Sequence, residues 1–393
     1  MTRNSAGGTT WPPTAASILP ADAESAVLVG RVHVGAVDGP SVVTIRDGLV
    51  VDLSAHFATM SMLTELPDPA SAVCSVSGPV LGSLDDALLG ALEPAAHSPI
   101  ALLSPIDLQA VKAAGVTFVV SMLERVIEER SAGDPARAEL FRGEIRELIG
   151  RDLSNVRPGS PEAMQVKRAL LASGDWSQYL EVGLGVDAEI FTKTSPLATV
   201  GGAADIGIHP RSEWNNPEPE VVLAVSSTGD VVGATLGNDV NLRDFEGRSA
   251  LLLSKAKDNN ASAAVGPFIR LFDDDFGLDD VRRLTLRLRV SGQDGFVLEG
   301  ESSMSMISRD PTDLVGQLIG ATHQYPDGAV LYLGTMFAPT QDRGASGAGF
   351  THHVDDVVEI TTPQLGSLVN RVRTSDACPP WTYGLTALMT NLA

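Results

Sequence analysis

The length, composition and charge of this chain exclude several classes of protein. With 393 residues, 44% of them hydrophobic, the chain is long enough for two domains or one large one, so disorder throughout is excluded. The 28 lysines and arginines are outnumbered by 49 aspartates and glutamates, which gives a formal net charge of -21. Because this charge repels phosphate backbones and anionic lipid surfaces, neither nucleic acid nor a membrane is an expected partner. A small acidic substrate would need a local cation to hold it.

The cysteines and the N-terminal residues indicate a cytoplasmic protein. Cys74 and Cys378 lie far apart, and no cysteine and histidine cluster has the spacing of zinc ligands. The opening residues lack the apolar segment of a secretory signal, and no run in the sequence reaches the length of a membrane span. We therefore expect a cytoplasmic location.

Four regions follow one another along the chain. Residues 1–25 are rich in Ser, Thr, Gly, Ala and Pro without periodicity, which predicts a flexible N-terminal arm. Residues 26–104 begin with short valine-rich runs separated by Asp-Gly turns, which predict a small β-rich domain. Residues 105–180 carry helical patterns, of which Asp107–Ala114 is the first, and form a predicted connecting or lid segment. Residues 181–393 contain further strand patterns, so the expected fold class is a β-rich α+β fold.

Two glutamates near the middle of the chain point in the same direction. Glu218 and Glu220 are two residues apart, and in an extended segment residues i and i+2 face the same side. Pro217 and Pro219 interleave with them and remove two ladder donors, which favours the entry of a strand over its centre. The alternative is that both glutamates line the solvent face of a half-exposed strand, because Glu-x-Glu is a short and common pattern.

A hairpin predicted directly after these glutamates adds a third carboxylate. Val221–Val225 and Val231–Leu236 have strand patterns and are separated by a turn. If the hairpin closes symmetrically about Thr228, the segment that ends at Asp239 returns opposite the segment that begins at Pro217. Asp239 then joins the two glutamates.

These three carboxylates are predicted metal ligands. Glu218, Glu220 and Asp239 would repel one another unless a divalent cation lay among them. Ligands that are all oxygen favour Mg2+, Mn2+ or Ca2+ over zinc. We expect Mg2+, with Mn2+ or Ca2+ as alternatives.

Several segments together resemble the fumarylacetoacetate hydrolase superfamily, and most closely its 2-keto-3-deoxy-D-arabinonate dehydratase branch. The segments are AEIFTKTSP (Ala188–Pro196), EWNNPEPEVVLAV (Glu213–Val225), GNDVNLRD (Gly237–Asp244), the later Lys257, and GAVLYLGT (Gly328–Thr335). The resemblance implies that residues 181–393 form a catalytic domain with a mixed β-sandwich roll, accompanied by a small N-terminal β domain. It also implies a homodimer or a homotetramer.

The resemblance assigns roles to residues around the metal. Glu189 matches the family position that acts as acid or base, and Lys257 matches a lysine that stabilises developing enolate charge. Thr335 matches a threonine that binds the substrate carboxylate. Lys193, four residues after Glu189 on a predicted strand, is a candidate substrate contact, with a surface ion pair between the two as the alternative.

One departure from the family pattern bears on the reaction. Hydrolytic members carry a water-activating histidine in the segment that corresponds to Val116–Ser121, whereas here no histidine lies between His97 and His209. This places carbon–carbon hydrolysis in doubt and favours elimination. Ser121 itself is a candidate substrate contact, with an ordinary helix N-cap as the alternative.

The expected function is that of a magnesium-dependent lyase, a dehydratase of a 2-keto-3-deoxy sugar acid. The resemblance points to 2-dehydro-3-deoxy-D-arabinonate as the substrate and 2,5-dioxopentanoate as the product. Two alternatives remain open. One is a carbon–carbon hydrolase or decarboxylase that acts on an acylpyruvate-type ketoacid, and the other is a non-catalytic sugar-acid binder.

Overall fold

The computed structural model describes residues 11–92, 98–134, 137–138, 156–174, 176–337, 339–344 and 349–393. In these residues the strands, in chain order, are β1 (Leu28–Val34), β2 (Gly39–Arg46), β3 (Leu49–Asp52), β4 (Val80–Ser83), β5 (Ile100–Leu102), β6 (Ala110–Gly115), β7 (Glu189–Thr194), β8 (Asp205–Ile208), β9 (Asn215–Asn216), β10 (Pro219–Val225), β11 (Val231–Asp239), β12 (Asn241–Leu242), β13 (Ala263–Leu271), β14 (Thr285–Ser291), β15 (Val297–Ser303), β16 (Ala329–Tyr332), β17 (Val357–Thr362) and β18 (Gly366–Thr374). The α-helices are α1 (Ala15–Ile18), α2 (Met60–Thr64), α3 (Pro69–Ser75), α4 (Leu84–Leu92), α5 (Val119–Ser131), α6 (Pro161–Ser173), α7 (Gln178–Leu184), α8 (Arg243–Glu246), α9 (Leu253–Lys257), α10 (Leu278–Val281), α11 (Pro311–Leu318) and α12 (Leu385–Leu392).

Most strands belong to two sheets that share one core. The larger sheet has the order β4-β3-β2-β1-β13-β11-β10-β16-β6-β7, with β5 added beside β1. The smaller sheet has the order β15-β14-β17-β18-β8, and β9 pairs with β12 separately. Apolar side chains from both sheets, such as Leu223 of β10 and Leu288 of β14, form the main core cluster. Two sheets that bury a common core give the β-rich α+β fold expected from the sequence.

Strand β10 is buried on both faces, which explains its uninterrupted apolar sequence. Val221, Leu223 and Val225 pack in the main core, whereas Val222 and Ala224 pack in a second cluster on the opposite face. Successive residues of a strand face opposite sides, so a strand covered on both sides is apolar throughout. The strand therefore gives rigid support to the residues at its start.

The larger sheet continues across the domain boundaries predicted from the sequence. β1, from the predicted N-terminal domain, pairs with β13, and Leu28 lies opposite Arg270. β6, from the predicted connecting segment, pairs with β16 in parallel and with β7 antiparallel. The N-terminal strands are thus hydrogen-bonded to the C-terminal region rather than forming a sheet of their own.

The helix predicted over Asp107–Ala114 is wrong, because the chain forms strand β6 there. Its alanine-rich sequence favours a helix in isolation. In the protein Ala110 lies opposite Ala329 of β16, and Gly115 lies opposite Glu189 of β7. Pairing on both edges outweighs the weak local preference.

The flexible arm predicted for residues 1–25 is wrong for residues 11–25, which pack against the protein. Ile18 of α1 is fully buried. Asp22 accepts two hydrogen bonds from the Arg270 guanidinium, at 2.7 and 2.9 Å. Residues 1–10 lie outside the described residues.

Three helices of the region 105–180 share a small apolar cluster. Met122 and Val126 of α5 pack there with Leu180 and Leu184 of α7, and α6 lies beside them. Residues 135–136 and 139–155 of this predicted helical segment lie outside the described part of the chain. Among the helices that the structure describes, none has the length and apolar character needed to cross a membrane.

Candidate active site

A bulge in the β10–β11 hairpin sets the pairing register at the site. Next to the turn Val225 lies opposite Val231, but Ala224 lies opposite Gly233. Val232 is therefore an extra residue in β11, as in a β-bulge. Symmetric closure about the turn would pair Ala224 with Val232. From Ala224 to the open end of the hairpin, each residue of β10 instead pairs with the next residue of β11.

This shift places Asp239 on the same face as the glutamates. The backbone N–H of Asp239 donates to the carbonyl oxygen of Glu218 at 3.1 Å, and Asn238 lies opposite Pro219. A register change of one residue turns every side chain to the other face of a sheet. Without the bulge, Asp239 would lie opposite Pro217 and face away from Glu218.

The three predicted ligands form a buried carboxylate cluster, hereafter the triad. Glu218, Glu220 and Asp239 are 4%, 2% and 2% exposed. One carboxylate oxygen from each residue lies within 4.8 Å of the others. The alternative, two glutamates on a solvent face, is excluded by this burial.

Two lysines and one backbone amide contact the triad. Lys257 Nζ, at the end of α9, lies 2.6 Å from Glu218 Oε2 and 3.0 Å from Asp239 Oδ2. Lys193 Nζ lies 2.8 Å from Asp239 Oδ1. The backbone N–H of Gly334, just after β16, donates to Glu220 Oε2 at 2.6 Å. Charge on the triad is thus partly balanced by groups from three other elements.

The balance differs from one carboxylate to the next. Burial, together with the charges of Asp239 and Glu218, raises the pKa of Glu220 well above its ordinary value. Burial also acts to raise the pKa of Asp239, but Lys193 and Lys257 outweigh it and hold that pKa low. Glu220 is therefore the member of the triad with the least compensation.

The lysines respond in opposite ways to the same surroundings. Burial acts to lower the pKa of Lys257, but Asp239 and Glu218 outweigh it, so the pKa of Lys257 is raised and the ammonium is retained. Burial lowers the pKa of Lys193 despite its contact with Asp239. Lys193 is fully buried and also donates to the carbonyl oxygens of Val240 and Lys257. This placement supports Asp239 and gives Lys193 no direct access to the cavity.

Glu189 lies at the start of β7, beside a glycine that leaves space for its carboxylate. A Cβ atom on Gly115, the paired residue of β6, would lie 2.1 Å from Glu189 Oε2. Burial raises the pKa of Glu189 to about 7, and the nearby charge of Glu246 contributes to this rise. A carboxyl group with this pKa exchanges protons readily near neutral pH.

Two charged residues that the sequence analysis missed complete the site. Arg125 of α5 pairs with Glu218 Oε1, and its Nη1 atom lies 3.0 Å from Glu246 Oε2 of α8. Arg125 Nη1 also lies 2.7 Å from Glu128 Oε2. Charged residues three or four apart on a helix usually mark a solvated face, so their spacing gave no sign of this burial. Glu246 follows the GNDVNLRD motif by two residues, and this nearness to the motif was the one feature of the sequence that could have indicated a place in the site.

A small cavity brings these residues together. It is lined by the triad with Ser121, Arg125, Glu189, Glu246, Lys257, Gly334 and Thr335, among others. Thr335 Oγ1 accepts from the backbone N–H of Phe337 at 3.0 Å, and Ser121 Oγ donates to the Phe118 carbonyl oxygen at 3.0 Å. The free space is about 20 Å³, close to that of one water molecule. A ligand larger than a metal ion or a water therefore has to displace side chains. Among the three cations Arg125, Lys193 and Lys257, Arg125 has the most exposed side chain, at 12%.

The charges around the cavity fit a divalent metal ion. Glu189, Glu218, Glu220, Asp239 and Glu246 are matched by three cations, Arg125, Lys193 and Lys257. Full ionisation would leave two uncompensated negative charges in a buried site, which is costly. The donor atoms of the triad are all oxygen, as Mg2+, Mn2+ and Ca2+ prefer.

Comparison with known proteins finds a matching family model and two similar curated proteins. Residues 187–373 match the family model described as fumarylacetoacetate (FAA) hydrolase C-terminal. A 2-dehydro-3-deoxy-D-arabinonate dehydratase of Saccharolobus solfataricus is 30% identical over 195 residues, which are 50% of this chain and 62% of that protein. A probable 2-keto-3-deoxyxylonate dehydratase of Haloferax volcanii is 31% identical over 186 residues, which are 47% of this chain and 60% of that protein. The match therefore spans less than two thirds of the length of either relative.

A solved structure shares the fold over a larger part of the chain. It is described as a 2-keto-3-deoxy-D-arabinonate dehydratase complexed with magnesium and 2,5-dioxopentanoate, and it covers 88% of this chain and 99% of its own. Its TM-score is 0.61 at 23% sequence identity, which shows a common fold. The resemblance seen in the sequence is thus confirmed for residues 187–373, which match the C-terminal domain of the fumarylacetoacetate hydrolase family.

Proposed function

We propose that this protein is a metal-dependent dehydratase that converts 2-dehydro-3-deoxy-D-arabinonate to 2,5-dioxopentanoate. The observation that carries the proposal is the buried triad facing Glu189 and Lys257 in one cavity. The relatives at 30% and 31% identity, both described as dehydratases of 2-keto-3-deoxy pentonates, support the same reaction.

The triad is the proposed site of the metal. Glu218, Glu220 and Asp239 would hold Mg2+, with Mn2+ or Ca2+ as alternatives, and magnesium accompanies the product in the solved structure described above. A divalent cation bound there supplies positive charge to the ketoacid oxygens and so makes the C3 protons easier to remove. Arg125, which now pairs with Glu218, would be free to move once a metal held by the triad supplied that charge.

Glu189 and Lys257 are proposed to move the protons of the elimination. Glu189 takes a proton from C3, the electron pair of that C–H bond forms the C3–C4 double bond, and the C4–O bond breaks. Lys257, whose ammonium is retained by Asp239 and Glu218, gives a proton to the leaving hydroxyl, which departs as water. Lys257 thus starts with the proton that it gives, and Glu189, whose pKa is raised to about 7, is partly ionised near neutral pH and can accept one.

Thr335 and Ser121 are proposed to contact the substrate. Both line the cavity. Among the described residues, the Thr335 hydroxyl only accepts a hydrogen bond, from the Phe337 N–H, so its own proton is free to be donated to a substrate. Ser121 sits in the first turn of α5, where its hydroxyl already donates to Phe118. We therefore assign the larger share of carboxylate binding to Thr335.

The hydrolytic alternative lacks a group that it would need. Hydrolysis of a carbon–carbon bond by the histidine-dependent route needs an imidazole beside the metal, and no histidine is among the described residues that line the cavity. His352 is buried elsewhere, with Nδ1 at 3.3 Å from Asp356 Oδ2. Dehydration uses carboxylate and ammonium groups, which the cavity contains.

The test is a direct assay with three readouts. The purified protein is incubated with Mg2+ and 2-dehydro-3-deoxy-D-arabinonate, and 2,5-dioxopentanoate, pyruvate and carbon dioxide are measured. The proposal predicts 2,5-dioxopentanoate alone, with loss of the activity after chelation. Pyruvate or carbon dioxide would indicate cleavage or decarboxylation, and tight substrate binding without any product would indicate a binder.

A further inference from the structure

The proposed reaction needs a second set of proton transfers after water has left. Loss of the C3 proton and the C4 hydroxyl gives 5-hydroxy-2-oxopent-3-enoate, which still has its hydroxyl on C5 and a double bond between C3 and C4. The product has an aldehyde at C5 and no carbon–carbon double bond. One hydrogen must therefore leave C5 and one must leave its hydroxyl, and one must be added at each of C3 and C4.

Glu246 is a carboxylate in the cavity that neither the metal site nor the elimination uses. It is 4% exposed and lines the same cavity as the triad and Glu189. Its Oε2 atom is enclosed and receives no hydrogen bond of good geometry from any described residue, although Arg125 Nη1 is 3.0 Å away. A buried carboxylate oxygen without such a bond is costly unless a ligand completes it.

The three carboxylates of the triad are assigned to the proposed metal site, and each also contacts a cation or an amide. Both oxygens of Glu218 pair with cations, Oε1 with Arg125 and Oε2 with Lys257. Asp239 holds Lys193 and Lys257, and Glu220 accepts from the Gly334 amide. Glu246 and Glu189 thus remain as the two cavity carboxylates that are available to exchange protons with carbon.

The position of Glu246 is fixed by its neighbours in α8. Arg243, at the start of this four-residue helix, is buried and pairs with Glu128 at 2.6 Å and Glu124 at 3.1 Å. Its guanidinium also lies over the Trp214 ring, 4.3 Å from the centroid. A base that is held rigidly beside its substrate needs little reorganisation during proton transfer.

We propose that Glu246 is the second proton-transfer residue and acts at C5 and C4. Glu246 takes a proton from C5, and the electron pair of that C–H bond forms the C4–C5 double bond. The electrons of the C3–C4 double bond then bind a proton at C3, which protonated Glu189 gives. The resulting enol then loses its hydroxyl proton to Lys257 as C4 takes the proton from Glu246. All three side chains return to their starting states, and the net change is the loss of one water.

The experiment compares Glu246→Gln with the control variant Glu299→Gln. Glu299 also pairs with an arginine, Arg289, at 2.6 Å, but it does not line the cavity. Because this inference rests on the proposed dehydration, wild-type protein is assayed first, and absence of 2,5-dioxopentanoate there would count against the proposed function itself. Folding of each variant is checked by its thermal unfolding midpoint and by Mg2+ binding.

The expected result is a change in the partition between intermediate and product. Glu246→Gln should still consume substrate but release 5-hydroxy-2-oxopent-3-enoate, detected by NMR and by its conjugated chromophore, while 2,5-dioxopentanoate formation falls about 10²- to 10⁴-fold. Glu299→Gln should keep the wild-type partition. The proposal is overturned if Glu246→Gln forms the product at the wild-type rate, if it blocks substrate consumption and product formation equally, or if Glu299→Gln releases the same intermediate.

Discussion

The cavity has two walls that carry charge in different ways. The sheet wall consists of the carboxylates of Glu218, Glu220 and Asp239 on the paired strands β10 and β11. Lys193 contacts Asp239 and Lys257 contacts Glu218. The helix wall, formed by Arg125 of α5 and Glu246 of α8, holds opposite charges against each other at 3.0 Å. The sheet wall has an excess of negative charge that a metal can complete, whereas the helix wall is close to neutral. This difference is the basis for our proposal that the metal binds at the sheet wall and that Glu189 and Glu246 transfer protons in the space between the walls.

The largest effect should come from breaking the sheet wall at Glu220. Glu220→Gln should lower Mg2+ affinity by at least ~100-fold and abolish product formation, because a ligand contributes more than its supporting contacts. The metal-free variant should unfold at a temperature no lower than wild type, because burial and two like charges already disfavour the Glu220 carboxylate. Isothermal titration and thermal unfolding check both results, with the exposed Glu301 changed to Gln as a control. Unchanged Mg2+ affinity would remove Glu220 from the site.

Breaking the helix wall should act on stability more than on metal binding. Arg125→Met leaves Glu128 and Glu246 without the cation they share, and loss of one partner of a buried ion pair costs about 3 to 5 kcal/mol. Urea unfolding in the absence of metal measures this cost. Mg2+ affinity should be retained or raised, because Glu218 loses a competing cation. Stability equal to that of wild type would show that the ion pairs of Arg125 contribute little to the free energy of unfolding. Arg283→Met, which breaks an exposed ion pair, is the control.

A smaller effect is expected at the rim of the cavity, at Thr335. Thr335→Val removes one neutral donor to an anion, which costs about 1.5 to 3 kcal/mol. The loss should appear as a raised KM with little change in kcat, because the same bond is present in the bound substrate and the transition state. Steady-state kinetics with Thr285→Val as a distant control measures it. A KM equal to that of wild type would exclude the threonine from substrate binding.

The smallest effect is a pH dependence set by Glu189. Burial raises the pKa of Glu189 to about 7, so below that pH the group is increasingly protonated and cannot accept the C3 proton. Activity should fall about tenfold per pH unit on the acid side, with a midpoint at or below pH 7 because a bound cation lowers the pKa of a nearby carboxyl group. The pH profile of kcat/KM measures this limb. A profile that is flat down to pH 5 would mean that another group is the base.

The two walls also differ in how far the sequence could predict them. The spacing of Glu218 and Glu220 defines one face of a strand, and the turn after Val225 brings Asp239 back, so the triad was predictable. The register was not, because the bulge at Val232 depends on how β11 fits between its two neighbours. Symmetric closure would have placed Asp239 on the wrong face, so the sequence predicted the carboxylate cluster from a pairing that was one residue in error.

The helix wall and the strand β6 depend on contacts that local sequence does not contain. The pattern of α5 is that of an amphipathic helix, and nothing in its spacing shows that Arg125 meets residues 93 and 121 positions away in the chain. Asp107–Ala114 has the composition of a helix and becomes a strand because β16 and β7 offer pairing on both edges. In both cases distant segments decide the outcome. Glu189 and Lys193 were assigned correctly to a strand because β-branched and aromatic residues lie between them.

If the sheet wall holds the metal and the groups facing it move the protons, metal binding and proton exchange must separate in variants of the two, and both are measured on the same variants. Mn2+ binding is followed by electron paramagnetic resonance, and exchange of the substrate C3 protons is followed by NMR in deuterated water. We predict that Glu220→Gln loses both Mn2+ binding and exchange, whereas Glu189→Gln binds one Mn2+ per chain as wild type does and loses exchange about 10²- to 10⁴-fold. Wild-type exchange in Glu189→Gln, or in Glu220→Gln without bound metal, would contradict the account.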